Sequence, residues 1–140
     1  MDLYAENILD HYRHPRCKTR LPSPTVTHDE VNLSCGDAVT LDLLINGDHL
    51  QEIGWEGGGC AISQAAMSLL SEKLQGESLE DVESLKKEDV YELLGVPVGP
   101  RRTKCALLGF HTLKNALRKF HGEQSQGWMD TVESGAAHGN

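Results

Sequence analysis

The stretch AVTLDLLINGDHLQEIGWEGGGCAISQAA, residues 38–66, contains the change of period that decides the fold. Val39, Leu41, Leu43 and Ile45 alternate along its first part, the two-residue period of a half-buried strand. Thr40 and Asp42 fall on the opposite face, joined by Leu44, so that face is expected to be partly covered as well. Asn46-Gly47 is a hairpin signal, because such turns need positive φ. Residues 49–55 are expected to pair back as the next strand. From Ala61 the period becomes four: Ile62, Ala66, Leu70 and Leu74 recur, flanked by Ala65 and Leu69. That predicts a helix, with Gly76 placed to end it. Between strand and helix lie Gly57, Gly58, Gly59 and Cys60, read as a flexible turn that hands a thiol to a helix start.

The flanks complete the pattern. Thr25, Val26, Thr27 and Val31 mark an earlier strand over residues 25–33, and three sequential strands with tight links suggest an antiparallel meander. Residues 2–13 read as a short amphipathic helix, capped by Asp2, with Leu3, Ile8, Leu9 and Tyr12 sharing a face. Pro15, Pro22 and Pro24 make residues 15–24 an extended connector. Downstream, residues 78–85 and 87–94 predict two short helices, the first opened by the capping pattern Ser78-Leu79-Glu80-Asp81. The last helix spans residues 103–120 with the apolar stripe Ala106, Phe110, Leu113, Leu117 and Phe120. Residues 121–140 hold no lysine or arginine and little apolar content. They read as a disordered tail in which only Trp128 is suited to dock. The expected architecture is α+β: a small three-stranded antiparallel sheet packed against helices, one domain over residues 1–121 and a tail over 122–140.

The chain has 140 residues and a formal net charge of −8, which argues against nucleic-acid binding, since that needs a basic face. No apolar run approaches the ~20 residues of a membrane span, and the N-terminus has no signal-peptide core. A cytoplasmic location is the expectation. Four cysteines in a reducing compartment are then free or metal-bound rather than disulfide-bonded.

Three of them stand at element ends. Cys35 lies in a loop between strands, Cys60 where strand passes to helix, and Cys105 in the first turn of the last helix. Helix N-termini favour the thiolate, so Cys60 and Cys105 are expected to lose their protons more easily. The glycines before Cys60 leave room for close approach. Spacing alone leaves a shared metal site and scattered free thiols both open, because the gaps match no local zinc pattern. Asp37, two residues after Cys35, reads either as a turn residue or as a fourth, oxygen donor. Cys17 reads as a free loop thiol, His11 and His14 as surface residues, and His111 and His121 receive no role.

Ser34-Cys35-Gly36-Asp37, Gly57-Gly58-Gly59-Cys60-Ala61-Ile62-Ser63-Gln64-Ala65 and Arg102-Thr103-Lys104-Cys105-Ala106-Leu107-Leu108 together resemble the three cysteine motifs of the IscU/NifU N-terminal family. Ile8-Leu9-Asp10-His11-Tyr12 and His14-Pro15-Arg16 resemble that family's first helix and following loop. The resemblance implies an α+β protein of iron–sulfur cluster assembly that takes persulfide sulfur from a cysteine desulfurase. It implies Cys35, Asp37, Cys60 and Cys105 as ligands of zinc, or alternatively of a 2Fe–2S cluster or iron at the same site. Lys104 stands where the scaffold branch has histidine, and Arg102 with Lys104 resembles the SufU branch, which relays sulfur at a zinc site. The chain lacks that branch's usual insertion between the second and third cysteines.

In the SufU-like reading Cys35 is the sulfur acceptor, on a loop able to swing; in the IscU-like reading Cys105 is as good a candidate. Asp37 is the exchangeable oxygen ligand. Arg102 reads either as the residue that docks the desulfurase, of the SufS or IscS type, or as a solvated loop cation, and Lys104 either as a charge that favours the Cys105 thiolate or as an exposed side chain. Downstream scaffold or acceptor proteins receive the sulfur or the cluster. No catalysis independent of the desulfurase is expected. A purely structural zinc domain is the weakest reading, because a closed site has no use for the glycines and the lone carboxylate.

Overall fold

The computed structural model describes residues 3–133. Asp2, expected as a helix cap, and the last part of the expected tail, 134–140, lie outside the described residues, as does the side chain of Leu3. The element order is α1 (Leu3–Arg13), β1 (Val26–Asn32), β2 (Asp37–Asn46), β3 (His49–Gly58), α2 (Ala61–Leu74), α3 (Leu79–Glu83), α4 (Lys87–Leu94), a 3-10 turn (Pro100–Arg102), α5 (Thr103–Phe120) and α6 (Trp128–Glu133). The strands form the expected antiparallel meander, in the order β1-β2-β3. Gly47 makes the β2–β3 turn at φ +63°.

One sheet face carries Val39, Leu41 and Leu43 of β2 with their cross-strand partners Ile53 and Trp55, all buried. Helix α5 packs on it, and α2 packs on α5. Both helices begin at the same end of the molecule. Gly109 lets them come close there: a Cβ on it would lie 2.8 Å from Met67 Sδ. The opposite face is covered at Asp42 by the connector. The Asp42 carboxylate is fully buried and accepts from Arg20 Nε at 2.7 Å, Arg20 Nη2 at 3.1 Å, Thr27 Oγ1 at 2.6 Å and Leu21 N–H at 3.0 Å.

Three expectations change. Strand β3 continues through Gly57 and Gly58, which pair with Val39 and Ala38, so these glycines belong to the sheet and only Gly59 remains between strand and helix. His11 is buried, its Nδ1 2.7 Å from Ser68 Oγ, whereas Leu9 and Tyr12 are exposed; α1 packs on α2 through Ile8 and His11.

The third change concerns the tail. Residues 122–133 are not structureless: α6 packs on α5. Trp128 stacks on the His111 ring with centroids 4.1 Å apart, and His111 Nδ1 shares a hydrogen bond with the buried Thr131 hydroxyl. Asn115 joins the same latch, accepting from Gln126 N–H at 2.7 Å and donating to Glu30 at 2.8 Å. Burial lowers the His111 pKa, opposed by the nearby Glu30 carboxylate and reinforced by His28. A histidine held neutral by the fold binds protons more readily unfolded, so its contribution is complete above about pH 6.5 and declines as pH falls toward the folded value. Hydrogen exchange of the α6 amides is therefore expected to speed up about tenfold between pH 7.5 and 5.5, beyond the intrinsic rate change, while β2 amides stay protected. Equal protection of α6 at both values would refute the latch.

Candidate metal centre

The β1–β2 turn, the end of β3 and the starts of α2 and α5 meet at one end of the sheet. The turn closes because Asn32 C=O accepts from both Cys35 N–H (3.2 Å) and Gly36 N–H (2.9 Å), with Gly36 at φ +72°. This lifts Cys35 into an exposed position and starts β2 at Asp37, whose side chain is buried. Cys60 is the N-cap of α2 in extended conformation, half-buried. Cys105 is buried in the first turn of α5.

The structure brings these four side chains together. Cys105 Sγ lies 3.0 Å from Cys35 Sγ. Donor atoms of Cys35, Asp37 and Cys105 fall within 4.8 Å of one another. Asp37 Oδ1 accepts the Cys60 N–H at 2.9 Å, and Asp37 Oδ2 sits 3.9 Å from Cys60 Sγ. Arg102 borders the same opening, a pocket of about 300 Å³ lined also by Cys35, Cys60, Arg101 and Cys105. Lys104 points instead toward Trp128, its Nζ 5.8 Å from the ring centroid.

Two features bear on what the cluster can hold. The Asp37 carboxylate is 1% exposed, and among the described residues it has no lysine, arginine or histidine ion partner. A buried carboxylate without a cation is costly. Second, the expected ease of ionisation at Cys105 is corrected. Burial pushes that thiol well up, and hydrogen bonds with Cys35 and Asp37 add to the rise. Burial thus outweighs the helix N-terminus. Both features are answered by one cation: three sulfurs and one carboxylate form a donor set that suits zinc or iron, and metal binding deprotonates thiols.

Gly59 and Gly57 have a role the sequence reading did not give them. At Gly59 (φ +147°) a Cβ would lie 2.1 Å from Asp37 Oδ1, and at Gly57 (φ +152°) 2.0 Å from Ala38 C=O. They are glycines because the carboxylate and the neighbouring strand occupy the side-chain space. Cys17 lies away from the cluster, half-buried and free, at φ +61°. That left-handed conformation is rare outside glycine and asparagine.

Residues 3–127 match the family model of the NifU-like N terminal domain. The iron-sulfur cluster assembly scaffold protein IscU of Thermotoga maritima is 34% identical over 133 residues, covering 84% of this chain and 94% of its own. The zinc-dependent sulfurtransferase SufU of Bacillus subtilis is 31% identical over 137 residues, covering 86% and 92%. Among solved structures, FiSufU of Fervidobacterium islandicum AW-1 superposes with a TM-score of 0.71 at 29% identity, over 80% of this chain and 94% of that one. Among the described residues no helix is long and apolar enough to cross a membrane.

Proposed function

Because the chain belongs to the NifU-like N-terminal domain family, we propose that it serves iron–sulfur cluster assembly, accepting persulfide sulfur from a cysteine desulfurase at a zinc site and passing it on. The ligands are Cys35, Asp37, Cys60 and Cys105. The observation that carries this reading is the buried Asp37 carboxylate, which faces three thiols and has no cationic partner among the described residues. Zinc bound there keeps the thiolates deprotonated at neutral pH.

The chain's own geometry supports a division of the work. Cys60 and Cys105 are fixed at the starts of two helices packed through the core, while Cys35 rides an exposed turn. Cys35 is therefore the sulfur that meets the desulfurase. Its thiolate attacks the outer sulfur of the partner's persulfide; a new S–S bond forms on Cys35 and the partner cysteine leaves as thiolate. Asp37, taking the Cys60 N–H on one oxygen, keeps the other for the metal. Arg102, exposed at the mouth, docks the desulfurase. Alone the chain turns nothing over; with the desulfurase it acts as a sulfurtransferase.

Purified protein is expected to carry about one zinc per chain. Incubated with a desulfurase and cysteine, it should show the persulfide on the Cys35 peptide by mass spectrometry. Cys35→Ala should abolish both the label and any stimulation of the desulfurase. Stimulation that survives Cys35→Ala but is lost in Cys105→Ala would move the acceptor to Cys105. A second reading, a scaffold for a 2Fe–2S cluster on the same residues, draws support from the similarity to the Thermotoga maritima scaffold protein. Anaerobic reconstitution that yields a stable, transferable cluster chromophore would favour it over the relay.

A further inference from the structure

Cys35 also forms the wall of a second, larger pocket of about 440 Å³, on the side away from Cys60. Asn32 lies on its strand side, Arg101 and Lys104 on the α5 side, and Met129 and Val132 of α6 close it. The volume falls in the ~300–1,000 Å³ range of small-molecule sites. Among the described residues no acidic side chain lines it. Among the described residues neither Arg101 nor Lys104 has an ion-pair partner, in a chain whose net charge is −8.

We propose that this pocket binds a small aliphatic thiol bearing a carboxylate, which takes the sulfane sulfur from Cys35. The carboxylate lies with Arg101 and Lys104, and the short methylene segment lies against Met129 and Val132. The inference rests on the reading of Cys35 as sulfur carrier. The step balances without oxidant or reductant. The small thiolate attacks the outer sulfur of the Cys35 persulfide, the S–S bond on Cys35 breaks, and an S–S bond forms in the small molecule. Cys35 departs as thiolate, and the outer sulfur keeps its proton. Anchoring the carboxylate raises the local concentration of the attacking thiol.

The test loads the zinc protein with polysulfide, identifies the Cys35 persulfide by peptide mass spectrometry, and follows its loss with two thiols at equal thiolate concentration. 3-Mercaptopropionate is expected to empty Cys35 about fivefold faster than the uncharged 2-mercaptoethanol, roughly what two exposed ion pairs supply. Arg101→Gln with Lys104→Gln should bring the ratio toward one; both side chains are exposed, so the fold persists. A ratio of one in the native protein, or a ratio untouched by the double variant, overturns the proposal. Binding of 3-(methylthio)propionate, measured by NMR, reads the pocket without sulfur transfer and should vanish in the double variant. Binding without any Cys35 persulfide would leave the pocket and overturn the acceptor reading. Persulfide on Cys35 with no binding and no rate ratio would do the reverse.

Discussion

Gly59→Ala is expected to empty the candidate metal centre. The added methyl would sit 2.1 Å from Asp37 Oδ1 and 2.7 Å from Asp37 Cγ, on a backbone at φ +147° that side chains rarely adopt. The clash has two ways to relax. The carboxylate swings out, which strands the Cys60 N–H and removes the oxygen donor, or the peptide shifts and carries Cys60 with it. Either way a donor leaves the cluster. Displacing a group that orients a ligand typically costs 10–100-fold in metal affinity, and here the group is itself a donor, so a loss of about 100-fold is expected. Backbone strain and the stranded N–H should lower stability by about 2–4 kcal/mol. Competition with a chromophoric chelator reads the first effect and urea unfolding the second. Gly58→Ala is the control: a Cβ there meets nothing within 4 Å, so zinc affinity should change less than about twofold. Native affinity in Gly59→Ala would mean that Asp37 does not lie against this backbone.

Asp42→Ala is the second large effect, and it acts on the opposite face of the sheet. Removing the carboxylate leaves the Leu21 N–H, the Thr27 hydroxyl and Arg20 Nε and Nη2 without their acceptor, while Arg20 Nη1 keeps Glu56. It also frees the connector that lies over Gly54, where a Cβ would be 2.3 Å from Thr19 C=O. A cost of about 2–3 kcal/mol is expected, below the ~3–5 of a fully buried pair because Arg20 keeps water on one side. The pH profile carries a matching signature. Burial by itself would raise the Asp42 pKa, but the bonds from Arg20, Thr27 and Leu21 outweigh it and hold the carboxyl below its ordinary value. Its contribution is therefore complete above the unfolded pKa of about 3.9 and is lost as pH falls through the folded value. Stability followed from pH 6 to 2 should lose part of its acid limb in Asp42→Ala. An unchanged limb would assign acid sensitivity to other carboxylates.

The parts legible in the sequence are those with a clear period. The alternation Val39-Leu41-Leu43, the Gly47 turn and the four-residue repeat from Ile62 to Leu74 gave the sheet and α2, because apolar spacing follows directly from strand and helix geometry. The convergence of Cys35, Cys60 and Cys105 was legible only through motif order, since the residues are far apart in sequence. What escaped reading depends on tertiary contact. Glycines were read as freedom, yet Gly57 pairs within the sheet and Gly59 gives its side-chain space to a carboxylate. Helix α6 is only six residues long, and its place is set by a ring stack and by Thr131, neither of which has a period. His111 and Asn115, four apart on α5, with Trp128 in the tail, are the available signal. His11 was misplaced for a related reason: its burial answers Ser68 on another helix.

The cluster joins side chains 70 positions apart, Cys35 and Cys105, on the first hairpin and the last long helix. A chain growing from its N-terminus carries Cys35, Asp37 and Cys60 long before Cys105 exists, and α5 must dock on the sheet before the four donors meet. Contacts this distant in sequence form after local ones, once loop closure has been overcome. The centre is therefore a late product of folding. On the proposed assignment a nascent chain would offer an ion only part of the donor set, and capture of a metal would report that the domain has been completed.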